Sequence, residues 1–152
     1  MVRLSRLADY GVVLLTHMAM ERNMVLNAAD AATATGVPAP TVAKVLKKLA
    51  AAGLVAGQRG AKGGYRLSRA PETVSIADIV AAIDGPIALT TCFKAGDMEC
   101  GVVAACPSRA GLARINAAIR GALDAVSLAE IAQPVAAFAQ PARSASPLQV
   151  SA

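Results

Sequence analysis

Between Thr41 and Arg69 the chain carries seven cationic side chains, Lys44, Lys47, Lys48, Arg59, Lys62, Arg66 and Arg69, and no acid. Their placement limits the fold more than any other feature of the chain. Val42, Val45, Leu46 and Leu49 form one apolar stripe of a helix that Pro40 or Thr41 opens and Gly53 ends. Thr41, Lys44 and Lys48 fall on another face, with Lys47 beside them. Leu54-Val55-Ala56 and Gly64-Tyr65-Arg66-Leu67 then read as short strands around Arg59-Gly60-Ala61-Lys62-Gly63. Glycines let such a loop turn tightly and approach a phosphate backbone closely. A basic helix followed by a hairpin with a basic tip predicts a polyanion-binding surface. On charge count alone, a solvated helix face is the competing account.

The residues ahead of this segment supply the rest of a small helical unit. Leu4, Leu7, Val12, Leu14, Leu15 and Met18 recur at near-helical spacing, so a first helix is expected from Arg6 to Arg22. Asn27, with Asp30 three residues on, starts a second helix that stops at Gly36. Val37-Pro38-Ala39-Pro40 is a stiff connector into the basic helix. Two short helices joined by a glycine-containing turn, the second with a basic outward face, predict helix-turn-helix. Thr41, Lys44 and Lys48 are expected to face the major groove of double-stranded DNA, with Lys47 nearer the phosphates and Arg59 and Lys62 at the wing. Through Ser75 there are ten Lys and Arg against four Asp and Glu, and beyond it five against six. The basic character therefore belongs to the first half.

In the second half, Ser75 with Asp78 begins a helix that Gly85-Pro86 ends. Residues 87–106 show no sustained period and read as a loop holding all three cysteines, Cys92, Cys100 and Cys106. Pro107 opens a long amphipathic helix with Leu112, Ile115, Ile119, Leu123 and Val126 along one side. Ser127 and Glu130 are spaced as a capping box for one more short helix, and the residues after 132 read as a mobile tail. The predicted fold is mainly α with a small β-hairpin wing, a winged helix-turn-helix followed by a long helix. We divide it into a DNA-binding region at 1–70, a cysteine loop and long helix at 71–132, and the tail at 133–152.

Several classes are excluded or demoted. An odd cysteine count argues against a disulfide framework, and the acid-bearing start is too charged for a secretory leader, so a cytoplasmic protein is expected. No stretch is long and apolar enough for a membrane span, since the longest uncharged run, Ala31 to Ala43, contains two prolines. The glycine loop lacks the GxxxxGK[ST] pattern of a nucleotide cradle. With His17 the only histidine, no Ser/His/Asp or Cys/His catalytic set exists, and a non-enzyme is expected. Three thiolates spaced C-x7-C-x5-C suit the soft irons of an iron–sulfur cluster, with one position left for another ligand. Zinc, or three incidental small hydrophobes, are the alternatives.

Three segments together carry a family resemblance. The opening Arg3-Leu4-Ser5-Arg6-Leu7-Ala8-Asp9-Tyr10, the wing Arg59 to Leu67 and Val74-Ser75-Ile76-Ala77-Asp78-Ile79 resemble the Rrf-two family of bacterial winged-helix regulators. Within it, the cysteine spacing, Pro107-Ser108-Arg109, Arg114-Ile115-Asn116 and Val126-Ser127-Leu128-Ala129 are similar to regulators of the Suf iron–sulfur assembly system. The resemblance implies a homodimer built on the long helix. It implies a repressor-type regulator that senses cluster status through a 2Fe–2S or 4Fe–4S cluster on Cys92, Cys100 and Cys106. A nitric-oxide or redox sensor controlling other genes, or a zinc-holding DNA-binding protein, are its alternatives. The Isc-system branch takes a histidine three residues after the last cysteine, where this chain has Arg109, whose guanidinium offers no lone pair. By likeness to the nitric-oxide-sensing branch, Asp9 of the partner subunit is the candidate fourth ligand, and a helix-start acid is the competing role.

Overall fold

Local chemistry sets most of the helix ends. The computed structural model describes residues 3–21, 24–60, 63–93 and 106–133. Its elements run α1 (Arg6–Met20), α2 (Ala28–Thr35), α3 (Ala39–Ala51), β1 (Val55–Gln58), β2 (Gly64–Leu67), α4 (Ile76–Asp84), α5 (Arg109–Asp124) and α6 (Leu128–Ile131). Short 3-10 turns lie at Pro71–Thr73 and Thr91–Phe93. Ser5 caps α1 by accepting from the Ala8 N–H at 3.0 Å, and Asn27 caps α2 by accepting from Ala29 and Asp30. Ser75 and Ser127 open α4 and α6, each inside a complete capping box. The Ser127 backbone N–H and hydroxyl hold the Glu130 carboxyl below the ordinary carboxylate range. Gly36 ends α2 with φ 73°, a left-handed conformation that glycine adopts without strain.

Two helix starts differ from the sequence expectation. α3 starts at Ala39, with Pro38 as the N-cap residue and Pro40 in the first turn, where a missing N–H costs nothing. α5 starts at Arg109 rather than Pro107, because Pro107 and Ser108 form a turn ahead of it. The expected tail lies outside the described residues beyond Gln133.

One core joins these elements. Leu14 and Leu15 of α1, Val42, Val45, Leu46 and Leu49 of α3, Ile79 and Ile83 of α4 and Leu128 of α6 are fully or almost fully buried in it. α4 and Leu128 thus pack with the helix-turn-helix even though they lie beyond residue 70. Gly11 permits this. A Cβ there would meet Ile79 Cγ2 and Ile83 Cγ1 at 3.3 Å, so α1 and α4 cross in close contact. α6 is tied back by an isolated bridge between Ser75 and Ser127, in which Leu128 donates to the Val74 carbonyl at 2.8 Å and Ile76 to the Val126 carbonyl at 3.0 Å.

β1 and β2 pair antiparallel, with Val55 opposite Leu67 and Gln58 opposite Gly64. On the other edge of β2, Tyr65 exchanges two backbone hydrogen bonds with Leu26, at 2.8 and 2.9 Å. The hairpin is therefore anchored to the entrance of α2. Gly64 makes the close approach possible, since a Cβ there would stand 2.7 Å from the Leu26 carbonyl oxygen. Gly64→Ala is expected to destabilise the fold by about 1–3 kcal/mol, the usual cost of overpacking against backbone. Urea denaturation of the two proteins checks this, and an unchanged midpoint would contradict it.

α5 is the exception to burial. None of its 16 residues is buried, and Ile115 is 50% exposed. Ile119 and Leu123 are half-buried and line a groove with Val80 of α4 and residues 85–89. Among the described residues no helix is long and apolar enough to cross a membrane.

Candidate nucleic-acid interface and cysteine segment

The basic helix presents fewer cations outward than its sequence offers. Lys44 and Lys47 are exposed on the face of α3 opposite the buried Val42, Val45, Leu46 and Leu49, and Thr41 is half-buried at the edge of that face. Lys48 departs from its expected direction. Its ammonium donates to the backbone carbonyl of Ile83 in the last turn of α4, and the side chain is partly buried. The reason is angular: Lys48 sits on the flank of α3 next to the stripe, where its stem runs along the packed surface rather than away from it.

Arg59 is exposed immediately after β1, at the base of the wing tip. Gly63 closes the tip by donating to the Gly60 carbonyl at 2.9 Å. A Cβ on Gly63 would meet the Gln58 carbonyl oxygen at 2.5 Å, so the turn needs glycine there. Lys62, the other expected wing contact, lies outside the described residues. Arg66 is exposed on β2, and Arg69, also exposed, is bonded to the Thr73 carbonyl and lies 3.6 Å from the Asp78 carboxylate. Lys44, Lys47, Arg59 and Arg66 thus form an outward basic group on the exposed side of α3 and along the hairpin, with no acid within 39–60 or 63–69.

Of the cysteines, Cys92 and Cys106 are described, and both are free thiols of intermediate exposure. Cys100 lies outside the described residues. The Thr90 hydroxyl is 3.0 Å from the Cys92 sulfur. Cys106 stands just ahead of α5, and its carbonyl accepts from the Arg109 N–H at 3.3 Å. No side chain caps that helix start. Two unbridged thiols suit iron in donor chemistry, and Cys100 is the third donor that the sequence leads one to expect. Asp9 is exposed in the first turn of α1, and among the described residues no three Cys, His, Asp or Glu side chains gather as a metal site. Asp9, Cys92 and Cys106 are therefore not brought together within this one chain. Arg109 is exposed at the first position of α5.

One residue of this region, quoted above only within Arg114-Ile115-Asn116, has a structural role that the motif does not state. Asn116 on α5 accepts from the Leu89 N–H at 2.7 Å and donates to the Ile87 carbonyl at 3.5 Å. It clamps the backbone that leads into Cys92 onto the long helix. A signal for it does exist in the sequence, because Asn116 interrupts the apolar side defined by Leu112, Ile119 and Leu123.

A helix-turn-helix followed by a two-stranded wing defines a winged-helix DNA-binding protein. Residues 4–134 match the Rrf2 family, described as Iron-dependent Transcriptional regulator. The chain belongs to that family, and is a regulator rather than an enzyme. It is 33% identical over 124 residues to protein aau3 of Rhizobium meliloti (strain 1021), covering 82% of this chain and 76% of that one. It is 28% identical over 131 residues to the HTH-type transcriptional regulator NsrR of Geobacillus kaustophilus, covering 86% and 89%. Among solved structures, the global cysteine regulator CymR of B. subtilis superposes with a TM-score of 0.69 at 23% identity, covering 87% of this chain and 97% of that one. At that identity the likeness is one of fold.

Proposed function

We propose that this chain is a dimeric repressor of iron–sulfur assembly genes that senses cluster status through Cys92, Cys100 and Cys106 and reads its operator with α3 and the wing. The observation that carries the DNA-reading half is the outward pair Lys44 and Lys47 on a helix whose other side is core, next to an anchored hairpin with Arg59 at the base of its tip. Lys44 and Thr41 are assigned to the major groove, Lys47 to phosphates, and Arg59 with Lys62 to a minor groove or backbone. The sensing half rests on two free thiols at either end of the cysteine loop and on the iron dependence of the family. An iron–sulfur cluster bound there would supply a group that oxidants and nitric oxide can destroy. Cys92 is held by the Asn116 clamp and by Thr90, Cys106 by the start of α5, and Asp9 of the partner subunit completes the set. A second reading, a nitric-oxide- or redox-sensing regulator of other genes, uses the same thiols and is favoured by their accessibility.

The dimer follows from α5. A 16-residue helix with no buried side chain, a half-exposed Ile115 and exposed Gly111, Ala118 and Ala122 beside it has a side that no described residue of the subunit buries. A second copy would cover that side and place two reading heads on two half-sites.

The DNA assignment is tested with the tightest duplex that the wild-type protein selects from a random pool. Lys44→Ala is expected to lose about 1–3 kcal/mol, mainly against one base position, while Arg59→Ala weakens all sequences alike and reduces the salt slope by about one. Unchanged affinity in both variants would refute the interface.

A further inference from the structure

Lys48 lies in the basic segment, yet its ammonium is bonded inside the protein. The acceptor explains why. α4 ends at Asp84, with Gly85 donating back to the Ala81 carbonyl, so the Ile83 carbonyl is among the last four of the helix and has no intrahelical donor. It also lies at the negative end of the α4 dipole, where a cation is favoured. Lys48 meets both needs with a charge-assisted hydrogen bond across the α3–α4 contact.

α3 and α4 also share the apolar core, to which Val45 and Leu49 of α3 and Ile79, Val80 and Ile83 of α4 contribute buried side chains. Dispersion and burial hold such surfaces together but are non-directional. The Lys48 bond is directional, so it sets how α3 is rotated and inclined on α4. The same turn of α4 is also tied to the start of α1, where the Ser5 hydroxyl donates to the Asp84 carboxylate at 2.8 Å. α4 thus receives one polar tie from the start of α1 and one from the end of α3.

We propose that Lys48 is a positioning residue that fixes the pose of the reading helix, and that it does not touch DNA. This rests on the assignment of α3 as the reading helix. It predicts a binding signature that neither a phosphate contact nor a base contact produces. Misplacing α3 harms the specific complex, which needs side chains aligned with base edges. It leaves the sequence-independent complex, which needs only charge.

The test compares Lys48→Met, which keeps an apolar stem, with Lys48→Arg and Lys44→Met. Each binds the selected duplex and a random-sequence duplex across a range of salt concentrations. Lys48→Met is expected to lose about tenfold on the selected duplex, the order of one charge-assisted hydrogen bond, with random-duplex affinity and salt slope unchanged. Lys48→Arg, which can still donate to a carbonyl, restores the selected affinity. In the free protein, amide exchange in the last turn of α3 quickens in Lys48→Met and not in Lys48→Arg. A salt slope lowered by about 0.9, with loss on both duplexes, would make Lys48 a phosphate contact and overturn the proposal. A penalty that disappears on changing one base pair would make it a base contact and overturn the proposal equally. Wild-type affinity in Lys48→Met overturns it as well. Failure of the reading-helix assignment looks different, because Lys44→Met would then match the wild type on both duplexes.

Discussion

Cys106→Ser protein purified without air is expected to be colourless, with iron reduced well beyond the roughly 10–100-fold typical of losing a group that merely supports a ligand. Cys106 is half-buried and lies outside the core, ahead of an α5 that buries none of its residues. Its replacement by serine therefore leaves the helix-turn-helix packing intact, and far-ultraviolet circular dichroism should match the wild type. Serine keeps the shape but exchanges a soft thiolate for a hard hydroxyl that holds iron poorly. Visible spectra and iron analysis of the two proteins check this. A variant with the wild-type spectrum would remove Cys106 from the ligand set. A colourless wild type carrying zinc would replace the cluster reading by a structural site. Asn116→Ala is the companion variant, because it frees the backbone at Ile87 and Leu89 while leaving all three thiols in place.

The second large effect is expected from Ile115→Glu. Ile115 is 50% exposed, so the charge costs the isolated subunit little. Facing a second copy, two such carboxylates would be buried together without partners, which a dimer interface does not tolerate. A folded monomer should result, with operator affinity lower by about 100-fold or more, since binding two half-sites through one dimer gains that factor over single heads. Sedimentation and operator titration measure both. A variant that remains a dimer would place the interface elsewhere. Ile119 is the poorer probe, because it is half-buried against the groove at the end of α4 and a charge there disturbs the subunit itself.

The helices were legible from caps and apolar period. Asn27, Ser75 and Ser127 each open a helix, and Gly36 ends α2, as their residue types require. These are local effects, decided by a side chain and the backbone three residues away. The wing was legible for the same reason, although β1 runs to Gln58 rather than stopping at Ala56, because pairing with β2 extends it. The bridge from Leu26 to Tyr65 was not legible. It joins residues 39 positions apart, and nothing in either residue type announces the other.

Period, charge and spacing along the chain suffice to specify a basic winged helix-turn-helix with a thiol-bearing loop and a long amphipathic helix. They do not specify which charges are available to DNA, which depends on the packing of the elements. Lys44, Lys47 and Lys48 lie within five positions on one helix, but the first two are exposed and the third is spent on an orphan carbonyl of α4. Arg69, though exposed, has acceptors of its own in Thr73 and Asp78. Packing also places α4 in the same core as the reading helix, while α5 buries none of its residues among those described. A cation's role depends on which acceptor lies within reach, and a helix's burial depends on which surfaces meet it. Both are properties of residues distant in sequence, so no local pattern carries them.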